Sequence, residues 1–450
     1  MIGERYYIIG IMMLVCAAGA RADVLERMEE RMWLTDSAAV MAYGNPALMT
    51  WRNDSSLSTL SALYRSQPRV GAFDARSYMH VGSNTLWGGA SYHNGKTADQ
   101  RWCEASDYHL VYPYVTADSV GGRLNMERYA FDGGWAGRYD RWALGASLSY
   151  VAGYYYRSVD PRPRNVTGTL DLGVGAAYRF ATDYVAGLSA NYQRYKQSND
   201  IEFVSELGET KIYHLTGLGH RYVRFDGLGK DCNYTADRWG AQADLYGTGR
   251  SALYTTAAFQ RLTMTYILTD LNKLPMATVA QNHVRAQAGW RLRTAGHRLT
   301  VAADWGYVRR LGTENIFGDP ASNQYPQIGS ATMYLHRLLE GGVRVAYDRT
   351  GTAWQYGAAA GADYLNSRQE YADPWTRSTY VGWHPYATAR VAVRHGRWYG
   401  ALSGQYRYRA NTMAQTVCAY AIDSRYVLRA TATYTHVTTD CLSASLSLVF

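Results

Sequence analysis

Long, strict alternation of apolar and polar residues is the feature that most limits how this chain can fold. The stretch from Arg141 to Tyr156 shows it clearly, and its apolar members are Trp142, Leu144, Ala146, Leu148, Tyr150, Ala152, Tyr154 and Tyr156. Similar runs begin near Val166, Leu299 and Trp398, and such runs last ten to sixteen residues. A period of two places all the apolar side chains on one face of a β-strand.

The length of these runs decides between two classes of β protein. Strands of soluble proteins average about five or six residues. A tilted transmembrane strand needs roughly 9–11 residues, plus any extension beyond the membrane. Forty tyrosines and 13 tryptophans suit strands, and a mean hydropathy of −0.32 excludes a bundle of membrane helices. The sequence therefore predicts an all-β fold, a transmembrane antiparallel β-barrel of about 16 strands within a range of roughly 14–20.

Arginines indicate which strand face points inward. Ten of them fall on the polar faces: Arg179, Arg285, Arg291, Arg293, Arg298, Arg344, Arg390, Arg394, Arg407 and Arg409. A charged side chain on the lipid face costs about 2–4 kcal/mol at the bilayer midplane. Ten such placements would exceed the whole stability of an ordinary domain, about 5–15 kcal/mol. We therefore expect these arginines to line the lumen.

The last ten residues, CLSASLSLVF, form one more alternating run that ends on an aromatic residue. Leu446, Leu448 and Phe450 share its apolar face. This arrangement resembles the terminal signal by which bacterial outer-membrane barrels are handed to their assembly machinery. The resemblance implies that Phe450 is recognised during insertion, and it names that machinery as a partner.

The N-terminus divides into two segments that precede the barrel. Arg5, an apolar run from Tyr6 to Val15 and Ala20-Arg21-Ala22 predict a secretory signal peptide over residues 1–22. Residues 23–55 do not alternate, and the stretch DVLERMEERMWL reads as a short amphipathic helix. Two interpretations of 23–55 stay open, a plug in the lumen or a periplasmic tail. The barrel is assigned to residues 56–450.

Connections of two kinds separate the runs. Tight turns are predicted at Tyr139-Asp140, Thr182-Asp183, Thr294-Ala295-Gly296 and similar sites, and longer joins at 197–210, 269–276, 313–326, 367–377 and 410–424. Short turns at one end and long loops at the other are typical of outer-membrane barrels. The short connection from Val437 to Asp440 does not fit this rule. Either the last hairpin is a short external one, with Met413 to Ala421 supplying an extra strand, or one of the predicted turns is misplaced.

The most distinctive loop is DPRPRN, residues Asp160 to Asn165. Its two prolines fix φ and stiffen the segment. Arg162 and Arg164 are candidates for a clamp that holds an anion or a plug carboxylate, and the alternative is a rigid loop whose arginines pair with Asp160 or with solvent.

A family resemblance becomes visible on this loop and three other pieces: SYHNGK (91–96), YPYVTADSVGG (112–122) and YHLTGLG (213–219). Together with DPRPRN they resemble an uncharacterised family of outer-membrane β-barrels from Bacteroidota. The resemblance implies a barrel fold and a location in the bacterial outer membrane, and it implies no catalytic residue.

Two functions of different classes remain. The first is a passive or gated channel or transporter for small polar or anionic solutes, in which the lumen arginines set the preference. The second is a plugged barrel that serves as a structural or assembly component of an envelope complex, with the arginines paired internally. In the second case an envelope protein is a partner, and in both cases the outer-membrane lipid is one.

Common enzyme motifs are absent from the sequence: no G-x-S-x-G elbow, P-loop or H-E-x-x-H occurs. We therefore expect no enzyme activity, no metal site and no cofactor. Nucleic-acid binding is not expected either, because arginines and aromatic residues lie on opposite strand faces. The cysteines that follow the signal peptide are Cys103, Cys232, Cys418 and Cys441, and their pairing stays open.

Overall fold

A computed structural model describes most of the chain after residue 68. The described residues are 69–96, 102–205, 208–321, 324–351, 353–395, 398–408, 410–418 and 440–449. The predicted signal peptide, residues 1–22, and the predicted plug segment, residues 23–55, lie outside these ranges, as does Phe450.

The described residues form β-structure almost throughout. The strands are β1 (Arg69–Val81), β2 (Asn84–Lys96), β3 (Val115–Ala117), β4 (Asn125–Tyr139), β5 (Trp142–Tyr156), β6 (Arg162–Ala181), β7 (Tyr184–Glu202), β8 (Tyr213–Gly217), β9 (His220–Arg221), β10 (Cys232–Gly247), β11 (Ser251–Leu268), β12 (Leu274–Thr294), β13 (His297–Phe317), β14 (Gln327–Thr350), β15 (Trp354–Tyr371), β16 (Thr376–His395), β17 (Trp398–Tyr408), β18 (Ala410–Cys418) and β19 (Asp440–Val449). Helical structure consists of α1 (Tyr108–Val111) and a 3₁₀ turn (Val223–Phe225).

One large antiparallel sheet contains all of these strands except β3, β8 and β9. Its order is β1-β2-β4-β5-β6-β7-β10-β11-β12-β13-β14-β15-β16-β17-β19, with β18 paired to β16. Apart from β18, each strand of this sheet pairs with the next strand of the same sheet in chain order, as expected for a series of hairpins. Within the described residues, β1 and β19 form the two edges of the sheet and do not pair with each other. The prediction of an all-β, antiparallel fold is confirmed, and closure into a barrel stays a prediction.

The pair β17 and β18 corrects one detail of the sequence analysis. β17 covers the half of β16 that ends at His395, and β18 covers the other half from Trp383 to Thr376. Only residue 409 separates β17 from β18, so the two together cross the full length of β16. The predicted join 410–424 is therefore wrong over 410–418, and the alternative of an extra strand beginning near Met413 agrees with β18 over the described residues.

The two ends of the sheet differ in their connections. At one end, which we call the short-turn end, pairs such as 82–83, 140–141 and 182–183 link successive strands. Gly82 and Asp140 adopt positive φ there, as tight hairpin turns require. At the other end, the long-loop end, the connections include 97–124 and 203–231. The predicted asymmetry between short turns and long loops is present.

The two faces of the sheet also differ. Large apolar side chains stand exposed on one of them, the outer face: Leu148, Val174 and Leu188 are 51%, 60% and 64% exposed. Residues of opposite parity, such as Ala143, Ala177 and Val185, are buried on the inner face. Exposed apolar side chains in this number are atypical of a surface that meets water. The predicted division of apolar and polar faces therefore matches the structure.

Candidate functional site

Two of the long connections fold together on the inner face of the sheet. We call residues 102–124 and 208–231 the insert. Its framework is a second, three-stranded sheet of order β3-β8-β9, in which Thr116 pairs with His214. The insert occupies the long-loop half of the inner face and contacts strands from β6 to β16. The sheet from β6 to β16 therefore curves around the insert, and we call the space on its concave side the lumen.

Apolar and aromatic side chains join the insert to the sheet. From the insert, Tyr114, Val115 and Phe225 are at most 1% exposed, and they share one core with inward residues of the strands, among them Tyr234, Met264, Tyr266, Met276 and Tyr334. The ring of Phe225 packs edge-on against Phe317, with centroids 5.8 Å apart. The insert and the inward side chains of the long-loop half therefore form one buried apolar core.

Hydrogen bonds fix the orientation of the insert within the core. The Thr116 hydroxyl lies 3.0 Å from the Tyr266 hydroxyl and 3.2 Å from the Cys232 sulfur. His214 contacts Tyr266 through Nδ1 at 2.7 Å and the carbonyl of Leu228 through Nε2 at 2.7 Å. Buried polar groups are costly unless paired, so these contacts select one docked arrangement of the insert.

A buried ion centre holds the other side of the insert. Arg157, which follows β5, has a side chain only 4% exposed, and its Nη2 lies 3.1 Å from Glu104 and 2.8 Å from Asp118. Its Nε donates to the carbonyl of Pro161 at 2.7 Å. Gly122 passes close to this side chain, because a Cβ there would lie 2.8 Å from Arg157 Cδ. Only glycine leaves room for the arginine at that point.

The pKa values of the two carboxyl groups in the ion centre shift in opposite directions. Burial, together with a hydrogen bond and charge repulsion from Asp118, raises the pKa of Glu104 well above its usual value. Burial acts to raise the pKa of Asp118 too, but hydrogen bonds from Glu104 and Gly121 and the charge of Arg157 hold that pKa below its usual value. The raised pKa favours the protonated form of Glu104, and the lowered pKa favours the ionised form of Asp118 beside Arg157.

The short-turn half of the inner face is polar and charged. The structure places these predicted arginines on it: Arg179, Arg285, Arg291, Arg293, Arg298, Arg344, Arg390 and Arg407. Arg394 lies in β16, but its side chain is not described, and Arg409 lies outside the described residues. Their role as lumen lining for a solute stays a prediction.

Carboxylates are interleaved with these arginines. Arg298 Nε lies 3.1 Å from Asp348, and Arg407 Nη2 lies 3.9 Å from Asp363. Arg291 donates to the carbonyl of Gly247 at 2.8 Å. This half of the lumen is therefore a mixed-charge surface, and its arginines are held in position by neighbouring acceptors.

The two predicted clamp arginines have nearby carboxylates of their own. Arg162 Nε lies 2.6 Å from Asp160, and Arg164 Nη2 lies 2.8 Å from Glu202 in an exposed pair. Both residues belong to β6 at the long-loop end. These contacts match the alternative of a stiff loop with internal pairing, and a clamp role for an anion stays a prediction.

Other predicted residues are placed only in part. Leu446 and Leu448 lie in β19, which runs antiparallel to β17, but their side chains are not described. Cys103 and Cys232 are buried free thiols. Where the structure describes the chain, no group of three or more His, Cys, Asp or Glu side chains could hold a metal ion. Within the same ranges no helix is long and apolar enough to cross a bilayer.

Sequence reasoning missed the insert and Arg157. The available signal was the loss of alternation over 97–124 and 203–231 in a chain that alternates almost everywhere else. Three of the four pieces that carry the family resemblance, YPYVTADSVGG, YHLTGLG and DPRPRN, meet at the insert and its ion centre. Their proximity depends on pairings such as Thr116 with His214, which lie far apart in sequence.

Residues 62–450 match the model of a family of unknown function, DUF6850. The chain belongs to this family. No curated protein matches the chain. The family match carries no information on Bacteroidota, so that part of the resemblance stays a prediction.

Several solved structures match part of this chain at low identity. The open form of the ferric-catecholate import receptor Fiu from E. coli K12 is 8% identical over 78% of this chain and 72% of its own, with a TM-score of 0.38. The siderophore receptor PirA from Acinetobacter baumannii is 8% identical over 85% and 72%, with a TM-score of 0.36. The β domain of the Bordetella autotransporter Brka is 15% identical over 68% and 99%, with a TM-score of 0.28. At these identities no specific property of those proteins transfers to this chain.

Proposed function

We propose that the protein is a bacterial outer-membrane β-barrel that is closed at rest by its own insert and conducts small anionic solutes only when the insert is displaced. The exposed apolar outer face supports the membrane location, because side chains such as Leu148, Val174 and Leu188 gain stability in lipid rather than in water.

The single observation that carries the gated function is the position of the insert. It fills the long-loop half of the lumen with a packed core, while the short-turn half stays polar and rich in arginine. A passive pore needs a continuous aqueous path, and the buried apolar core between the insert and the strands supports closure at rest instead. Basic side chains along the remaining path favour anions, as rings of arginine or lysine do in anion pores.

A second candidate function is a permanently closed barrel that serves as a structural component of the envelope. The completeness of the apolar packing around Tyr114 and Phe225 favours it. In this case the arginines of the short-turn half contribute only to internal pairing, as Arg298 does with Asp348. Neither candidate assigns an enzyme activity.

Single-channel conductance in a planar bilayer tests the gated proposal. We expect the full-length protein to be closed almost all the time and Arg157→Ala to raise the open probability at least tenfold. Removing Arg157 leaves buried carboxyl groups without their cation, which costs about 3–5 kcal/mol. Glu104→Gln is the matched control, since glutamine imitates the neutral carboxyl and should preserve closure.

Steady conductance by the unaltered protein would contradict closure at rest. An Arg157→Ala protein that is folded, as judged by heat-modifiable electrophoretic mobility, yet silent would favour the permanently closed barrel. A version without residues 23–55 adds the remaining comparison: if that removal alone opens the pore, the N-terminal segment rather than the insert is the plug.

A further inference from the structure

A row of arginines crosses the outer face of five neighbouring strands. The register pairs Arg261 of β11 with Asn282 of β12, then Arg309 of β13, Arg337 of β14 and Arg368 of β15. Strands in a sheet lie about 4.8 Å apart, so the row spans roughly 19 Å. We call these four arginines the outer arginine row.

The row has little opposite charge beside it. Strands β11 and β12 contain no Asp or Glu, and the carboxylates of β13 and β14 all lie on the inner face: Asp304, Glu314, Glu340 and Asp348. Arg261, Arg309 and Arg337 are exposed. Arg309 and Arg337 lie directly opposite each other, an arrangement of like charges that destabilises a sheet unless an anion joins them.

Two other outward arginines lie beside carboxylates of the protein. Arg194 of β7 lies 3.1 Å from Asp237 of β10. At the end of the row, Glu370 lies 2.8 Å from Arg368 and 2.7 Å from Arg377. Strands β11 to β14, by contrast, carry outward arginines and no outward carboxylate.

The height of the row places it at a membrane interface. On β13 the outward residues rise from Leu299 through Trp305 and Tyr307 to Arg309, which lies ten residues along the strand from Leu299. At about 3.3 Å per residue and a tilt near 40°, this distance is roughly 25 Å along the membrane normal. An apolar band of about 25 Å is the height that such barrels present to hydrocarbon, with aromatic residues at its borders. The arginines begin where the band ends.

We propose that the outer arginine row binds the phosphate groups of anionic lipids in the outer leaflet. Guanidinium groups bind phosphate oxygens in a bidentate manner, and arginine suits this contact better than lysine. Several arginines at one level fit a headgroup with more than one phosphate. This inference rests on the membrane location proposed above and does not depend on gating.

Native mass spectrometry of the full-length protein in a neutral maltoside detergent provides the test. The probe is a bisphosphorylated, acylated glucosamine disaccharide, and the comparison lipid is the same molecule without its phosphates. We expect at least a tenfold preference for the phosphorylated lipid. The triple variant Arg261→Gln, Arg309→Gln, Arg337→Gln should lose about tenfold in affinity for it, since three exposed charge contacts are removed.

Arg349→Gln is the matched control. Arg349 is an exposed arginine on the outer face of β14 at the short-turn end, where its guanidinium lies over the ring of Tyr356. We expect its removal to change lipid affinity less than about twofold. The corresponding triple lysine variant keeps the charge but loses the bidentate contact, so its affinity should lie between those of the native protein and the glutamine variant. This variant keeps the test valid if the glutamine variant folds poorly.

Three results would overturn the proposal. Equal affinity for the phosphorylated and dephosphorylated lipids would exclude phosphate recognition. An undiminished affinity in the folded triple glutamine variant would exclude the row as the site. Complete displacement of the lipid by inorganic phosphate at millimolar concentration would show that the row binds free anions rather than a lipid headgroup.

Discussion

The two halves of the inner face use the same strands for opposite chemistry. Toward the long-loop end, Leu262, Met264 and Tyr266 of β11 are buried beneath the insert. Toward the short-turn end, Arg298 and Asp348 of neighbouring strands β13 and β14 form a half-exposed ion pair. Both sets point inward by the period of two. The difference shows that strand parity determines the face, whereas a separate folded segment determines whether that face meets protein or water.

The largest expected effect on stability comes from removing a side chain at the centre of the long-loop half, which is packed against the insert. Tyr114 is fully buried, and its ring lies against the backbone at Gly312. We expect Tyr114→Ala to lower the free energy that holds the insert in place by about 3–5 kcal/mol, the usual cost of deleting a buried aromatic ring. The urea dependence of proteolysis within the insert measures this change.

Tyr114→Phe is the matched control for the loss of the ring. The Tyr114 hydroxyl is buried and has no hydrogen-bond partner among the residues that the structure describes. Phenylalanine keeps the ring and removes this unsatisfied group, so we expect no loss of stability. If the alanine variant resists proteolysis as well as the native protein does, the insert is not held by its apolar core.

A smaller effect is expected from pH, and it also acts on the packed half. Burial lowers the pKa of His220 to about 4, and its Nε2 lies 2.8 Å from the hydroxyl of Thr376. The pKa of histidine in an unfolded chain is about 6.5, so the docked insert favours the neutral form of His220 over the charged form. The contribution of His220 to the stability of the docked insert is therefore complete above pH 6.5 and is lost as the pH falls toward 4.

His220→Gln isolates this histidine, because the glutamine side chain does not titrate. We expect the native protein to lose at most about 2 kcal/mol relative to the variant between pH 7 and pH 4. Glu104 acts in the opposite direction, since its raised pKa favours the docked insert at low pH, but it is present in both proteins and cancels from the difference. Parallel pH profiles of insert proteolysis in the two proteins would exclude His220 as the cause.

The sequence predicted one half of this comparison better than the other. Alternation is local, so it identified the strands, their two faces and the inward parity of arginines such as Arg298 and Arg344. The insert depends on contacts between distant segments, such as Thr116 with His214, which no local period reveals. Arg157 follows β5 like any other loop arginine, and its burial depends on Glu104 and Asp118 in a different connection.

Strand ends were also misplaced for a physical reason. The joins predicted at 313–326 and 367–377 are shorter in the structure, because β13 continues to Phe317 and β15 to Tyr371. The extra residues pack on the insert, where both Phe317 and Tyr371 are buried. Inward aromatic residues at these ends break the simple apolar and polar alternation, so the sequence pattern ended before the strand did.

The smallest expected effect on stability comes from the short-turn half of the inner face. Measurements of ion selectivity can test this half more directly than measurements of stability. Arg298→Gln removes one member of a half-exposed pair, so we expect the free energy of unfolding to change by at most about 1 kcal/mol. In an Arg157→Ala background that conducts, the same change should weaken the preference for chloride over potassium, and Asp348→Asn should strengthen it. Reversal potentials under a salt gradient measure both. Identical reversal potentials in the two variants would show that the short-turn half of the lumen does not line the ion path. The contrast between a sealed long-loop half and a conducting short-turn half would then be wrong.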